Sequence, residues 1–274
     1  MAASEQLRPA FHGPVHLPGE LAYDAHRTTW SGKIDPRPAV VAEASTPSDV
    51  RAAVLIAQEH GLPFAVQSTG HGTHVPADGG LLLKTSLMAE VLVDPDRRIA
   101  RVGPGARMGD IVAAAAPFGL APIAGSNPTV GVAGFTLGGG FGPLSRRHGF
   151  AADSLLRVDL VTADGRLLRA SADEHHDLFW AVRGGGGNFG VVTALEFRLY
   201  PIETAYAGML IWDRKDAEKV LRAWARWAVD APDAVTTAFA RSVASTAARS
   251  TASGSSANSS NWRGAVPPSV AVSA

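Results

Sequence analysis

Gln67-Ser68-Thr69-Gly70-His71-Gly72-Thr73-His74 is a run of small, hydroxyl and glycine residues that cannot extend a strand, and it decides how the first third of the chain folds. The apolar run Leu62 to Val66 before it reads as the strand it terminates. Upstream lies a helix. Thr46 suits its N-cap, Pro47 its first position and Asp49 the positive end of its dipole. Val50, Val54, Leu55 and Ala57 then keep helical spacing until Gly61 ends it in the left-handed way. Ala39 to Ala42 reads as a strand leading in. Beyond the loop, Leu81 to Leu83, Val91 to Val93 and Ile99 to Val102 read as strands, the last two joined by the Asp94-Pro95-Asp96 turn.

Farther along, Met108 to Ala116 is predicted as a short helix closing near Pro117 to Gly119, followed by dense glycine from Gly125 to Gly149. Leu155 to Thr162 and Arg166 to Ala170 flank Ala163-Asp164-Gly165, a hairpin signature. Ser171 and Glu174 suit a capping box for a helix carrying Leu178, Phe179, Trp180 and Val182. Gly184 to Gly187 should end that helix, and Gly190 to Tyr200 reads as a strand stopped by Pro201. The pattern is α+β, with several short strands rather than a clean βαβ repeat. Tyr206 to Trp212 reads as one more strand. Ala217, Val220, Leu221, Trp224, Trp227 and Ala228 form an apolar helical stripe that needs a partner surface. From Arg241 to Ala274 the chain is Ala, Ser and Thr without periodicity and is expected to be disordered.

Composition narrows the function. The 274 residues carry 25 basic and 25 acidic side chains, so no net field gathers nucleic acid or anionic membrane, and neither is expected as a partner. Cysteine is absent, which excludes disulfides, thiolate ligands and cysteine-linked cofactors. Met1 to Pro18 has no apolar run behind a basic start, and no later stretch approaches the ~20 residues that span a bilayer. A cytoplasmic location is expected.

Three glycine-rich segments, Ser68 to Gly72, Gly125 to Gly142 and Gly184 to Gly190, combine sharp turns with bare backbone amides that could cradle phosphates. Tight turning alone would also explain any one of them. Gly185, Gly187 and Gly190 match G-x-G-x-x-G, but that fingerprint requires a strand before it and a helix after it. Here a helix precedes and Val191-Val192-Thr193 follows. His71 and His74 have no evident third metal ligand. Asp173-Glu174-His175-His176-Asp177 reads as a solvated first helical turn. No metal site is assigned.

Taken in order, Gln67 to His71, Gly125-Ser126-Asn127-Pro128-Thr129-Val130-Gly131-Val132, Leu137-Gly138-Gly139-Gly140-Phe141-Gly142 and Asp177 to Thr193 resemble the FAD-linked oxidases of the berberine-bridge and vanillyl-alcohol-oxidase type. The resemblance implies a PCMH-type FAD-binding domain of two α/β subdomains, followed by the start of a truncated substrate domain. It divides the chain into an N-terminal segment (1–34), the FAD-binding domain (35–201), the start of a substrate-binding domain (202–240) and a low-complexity tail (241–274). The substrate-binding half looks largely missing.

On the same resemblance, FAD is the cofactor and His71 is the residue bonded to it. Many relatives add a cysteine where this chain has Asn127, so a second bond is impossible here. The expected cofactor contacts are Ser68, Thr69, Gly70, His71, Gly72, Asn127, Val130, Gly131, Gly134, Gly138, Gly139, Gly140, Gly142, Gly187, Asn188, Gly190 and Val192. The implied reaction is hydride transfer from an alcohol, sugar, amine or alkaloid-like small molecule to flavin, with molecular oxygen as acceptor. A non-catalytic flavin-binding remnant, or a fragment that needs a partner chain, is the alternative. No residue is identified as the base that takes the substrate proton.

Overall fold

A computed structural model describes residues 2–240. The chain divides into two compact units, residues 1–203 and residues 204–274.

The first unit opens with α1 (Ala2–Ala10), β1 (Val15–His16), α2 (Tyr23–Arg27), β2 (Val40–Glu43), α3 (Pro47–Glu59), β3 (Phe64–Gln67) and β4 (Leu81–Lys84). The strands form a sheet ordered β1-β2-β4-β3, parallel except at β1. Glu43, Lys84 and Gln67 are register partners across it. They close the carboxyl ends of the parallel strands, the edge at which open α/β sheets bind ligands.

The ends of α3 follow from local chemistry. Thr46 Oγ1 accepts from the Asp49 N–H, completing a capping box with Pro47 at the first position. The buried Asp49 carboxylate also accepts the backbone and ring N–H of His12, which ties the N-terminal segment to the helix.

The second sheet follows with β5 (Val91–Asp94), β6 (Ile99–Val102), α4 (Met108–Ala115), β7 (Leu120–Ala121), α5 (Val132–Leu137), α6 (Ser145–His148), β8 (Leu155–Val161), β9 (Leu167–Ser171), α7 (His176–Gly185), β10 (Val191–Arg198) and β11 (Tyr200–Pro201). Its order is β5-β6-β10-β8-β9, wholly antiparallel. β10 lies at the centre and is buried from Val191 to Leu195, so its apolar run is nearly continuous. β7 and β11 pair separately. Met108, Ile111, Leu160, Phe179, Leu195 and Phe197 fill the core beneath. Val161 and Val191 instead join the core that α3 forms with β2 and β4. Arg51 on α3 donates to the Gly165 carbonyl in the β8–β9 turn, so α3 braces both sheets.

In the second unit, α8 (Ala217–Val229) takes up the predicted stripe, yet none of its residues is buried. Trp224 donates to Thr237 Oγ1, while Trp227 and Val229 are 50% and 79% exposed.

Several expectations change. Tyr206 to Trp212 forms no strand; within it only Tyr206 takes part in an isolated bridge. Ser171 does not cap α7: its hydroxyl accepts from Asp173 and Glu174 in a turn, and His175 occupies the cap with φ 48°. The glycine-dense stretch contains α5, and the N-terminal segment contributes α1, β1 and α2. The expected disorder from Arg241 onward lies outside the described residues.

Candidate cofactor site

β3 ends at Gln67 and delivers the Ser68 to Gly72 loop to the rim of a cavity of about 1020 Å³. That volume is at the upper end of the ~300–1,000 Å³ typical of small-molecule pockets. The cavity takes its walls from this loop, from Val130 to Gly138 around α5, and from Gly186 to Val192 at the start of β10. Ser68, Thr69, Gly70, His71, Gly72, Val130, Gly131, Gly134, Gly138, Gly187, Asn188, Gly190 and Val192 all line it.

The remaining expected contacts lie elsewhere. Gly139 and Gly140 line a smaller cavity of about 390 Å³ with Arg183 and Phe150. Gly142 packs against backbone, since a Cβ there would fall 1.8 Å from the Ala124 carbonyl oxygen. Asn127 does not line the cavity and reaches His71 through Thr129.

Hydrogen bonds fix His71 on both ring nitrogens. Nδ1 is 3.0 Å from Thr69 Oγ1 and Nε2 is 3.1 Å from Thr129 Oγ1. Thr129 in turn donates its hydroxyl to Asn127 Oδ1 at 2.8 Å, and Gly131 N–H donates to Thr69 Oγ1 at 3.2 Å. The Asn127–Gly131 segment is itself held by the start of α4, where Met108 and Gly109 donate to Val130 and Pro128. Trp30 stacks on the imidazole. Burial, with the nearby Arg107 charge, lowers the His71 pKa and favours the neutral ring. Sequence reading missed Trp30, Thr129 and Arg107. Thr129 stood within a quoted motif, but nothing local marks Trp30 or Arg107.

The walls suit a large polar ligand. A Cβ at Gly72, Gly134 or Gly187 would meet nothing within 4 Å, so these bare backbones leave open space along the cavity wall into which a ligand can approach. Ser68 Oγ is buried without a hydrogen-bond partner, an unmet demand that a bound polar group can satisfy.

A second cluster lies at the sheet edge, where His16 and His26 both contact Glu43 Oε1, at 2.9 and 3.0 Å. Their rings stack at 16° from parallel. The three ligand-type atoms lie within 4.8 Å of one another, and both rings hold the buried Glu43 carboxylate.

Residues 38–171 match the family model described as FAD binding domain. Over 206 residues the chain is 40% identical to (R)-6-hydroxynicotine oxidase of Paenarthrobacter nicotinovorans, covering 74% of this chain and 45% of that protein. The chain therefore carries an FAD binding domain and is similar to FAD-linked oxidases. Among solved structures, 6-hydroxy-D-nicotine oxidase from Arthrobacter nicotinovorans superposes on this chain with a TM-score of 0.78. The identity is 36%, covering 83% of this chain and 51% of that one. Glucooligosaccharide oxidase from Acremonium strictum, described with a 6-S-cysteinyl, 8α-N1-histidyl FAD, gives 0.72 at 32% identity, covering 82% and 49%. The chain spans about half the length of the curated relatives it matches. The expected fold class, a PCMH-type FAD-binding domain, is the observed one. Among the described residues, no helix is long and apolar enough to cross a membrane.

Proposed function

We propose that this chain binds FAD through the Ser68 to Gly72, Val130 to Gly138 and Gly187 to Val192 walls, carries it on a single covalent bond through His71, and oxidises a small molecule. The carrying observation is His71, hydrogen-bonded on both ring nitrogens at the rim of a cavity walled by bare glycine backbones. A bound flavin supplies two-electron chemistry, accepting a hydride equivalent from substrate carbon and passing the electrons to molecular oxygen. The protein's part is to orient the ring through His71, admit the dinucleotide where glycines leave space, and offer Ser68 as a hydrogen-bonding group. With no cysteine in the chain, the tether is histidyl alone. The relatives' names point to amine or sugar substrates, and this chain is assigned the same broad class.

Acid precipitation followed by mass spectrometry of the tryptic peptides tests the reading. Flavin mass on the His71 peptide supports it. FAD present in the soluble protein but absent from that peptide removes the covalent bond. Lack of any FAD removes the whole proposal.

A second reading, flavin binding without turnover unless a partner chain is present, is favoured by α8, whose Leu221, Trp227 and Val229 are exposed among the described residues. Hydrogen peroxide release by the isolated flavin-loaded chain, assayed over alcohols, sugars and amines, separates the two.

A further inference from the structure

The hydrogen-bond roles around His71 can be assigned from both ends. Asn127 Oδ1 accepts the Thr129 backbone N–H at 2.9 Å. A backbone N–H can only donate, so the atom facing it is the amide oxygen. The same oxygen is 2.8 Å from Thr129 Oγ1 and can only accept there too, so the hydroxyl hydrogen of Thr129 points to Asn127. Thr129 Oγ1 has no second hydrogen to give, and its contact with His71 Nε2 must be Nε2–H donating. At the other end, Gly131 N–H donates to Thr69 Oγ1. With the hydrogen of the neutral ring on Nε2, Nδ1 can only accept, so the Thr69 hydroxyl, 3.0 Å away, donates to it.

We propose that Asn127 and Thr129 are positioning residues that hold His71 as its Nε2–H tautomer, so that Nδ1 is the one ring nitrogen with a lone pair for attachment to flavin. The tautomer stands on the geometry alone, and its consequence for attachment rests on the reading of His71 given above. Once the Thr69 hydroxyl turns aside, Nδ1 is free to bond. Joining Nδ1 to a methyl carbon of the flavin ring removes one hydrogen from that carbon and one from the imidazole. These two protons and two electrons pass in the end to molecular oxygen, giving hydrogen peroxide. The Nε2 proton is the one the imidazole loses, which restores a neutral ring.

The test uses the full chain, labelled with ¹⁵N-histidine and produced flavin-free in a riboflavin-limited host. Long-range ¹H–¹⁵N spectra at pH 8 report the tautomer, and the His71 signal is assigned by its loss in His71→Ala. Because free imidazole already favours Nε2–H, comparison among variants decides. Thr129→Val and Asn127→Leu should each shift the ratio toward Nδ1–H by roughly 2- to 12-fold, the worth of one hydrogen bond. Thr129→Ser and Asn127→Asp, which keep the hydroxyl and the acceptor, should retain the wild-type ratio. On adding FAD, the first pair should attach it several-fold more slowly while the second pair attaches it normally. An unchanged tautomer ratio in both Thr129→Val and Asn127→Leu, each with a wild-type backbone spectrum, overturns the proposal. A shifted ratio with no flavin on wild-type His71 leaves the tautomer assignment standing and removes only the covalent reading.

Discussion

Trp30 stacks on the imidazole of His71, with ring centroids 4.5 Å apart and planes 21° from parallel. The two residues come from the N-terminal segment and the loop after β3, and the Trp30 N–H donates to the Gly70 carbonyl, locking the register of the stack. Burial is the first cause of the lowered His71 pKa, so removing the indole should raise it. Trp30→Ala should titrate His71 at higher pH than wild type. Any attachment that needs the neutral ring should then begin at higher pH as well. NMR titration of the flavin-free protein and a pH series of flavin incorporation check both.

Gly140 and Gly187 should respond differently to alanine. At Gly140, φ is 73° and a Cβ would lie 2.6 Å from Ala151 Cβ and 2.7 Å from the Phe135 ring. Gly140→Ala should therefore cost about 1–3 kcal/mol of stability even without flavin. At Gly187 the added Cβ meets nothing within 4 Å. Gly187→Ala should melt like wild type when flavin-free and lose flavin loading. Equal flavin content in Gly187→Ala and wild type would show that this backbone does not approach the cofactor.

Ser68 carries a buried hydroxyl without a partner, and such a group costs about 1–3 kcal/mol where it stays unmet. Ser68→Ala should leave the flavin-free protein as stable as wild type or more so, while weakening FAD binding several-fold. Calorimetric melting and a flavin titration give the two halves of this result. Unaltered FAD affinity would assign Ser68 no part in binding.

Asp49 sets an acid limit on stability. Burial pushes its pKa up, but hydrogen bonds donated by His12 and Ser45 outweigh this and hold it at about 2 against an ordinary 3.8. A folded value below the unfolded one gives stability that is complete above about pH 4 and lost as the pH falls through about 2. Asp49→Asn should be less stable at pH 7 by on the order of 2 kcal/mol. The gap from wild type should close between pH 4 and pH 2, as measured by urea unfolding.

Much of the fold could be read locally. Thr46, Pro47, Asp49 and Gly61 mark the two ends of α3 by short-range chemistry alone, and Ala163-Asp164-Gly165 marks the β8–β9 hairpin. α5 was hidden because Gly131, Gly134 and Gly138 punctuate it, and glycine argues against helix on propensity while packing beneath Val132 and Leu137 overrides it. Tyr206 to Trp212 has the composition of a strand, but its pairing stops at a single bridge residue, Tyr206, and a strand needs a continuous ladder. At the site, His71 could be found from its motif. Its supports could not, since the Thr129 contact spans 58 residues and Trp30 belongs to a segment with no motif. Which atoms donate depends on Asn127 Oδ1 and the Gly131 N–H, and only coordinates relate these to the ring.

The cavity joins a loop leaving one sheet to the turn that starts the central strand of the other. A ligand lying across it acts as a strut, and a strut held by mass action strengthens the fold only with the logarithm of its free concentration, so dilution weakens it. Bonding the same ligand to His71 makes that strut immune to dilution: the melting temperature of the loaded protein would stop depending on added FAD and would survive dialysis unchanged.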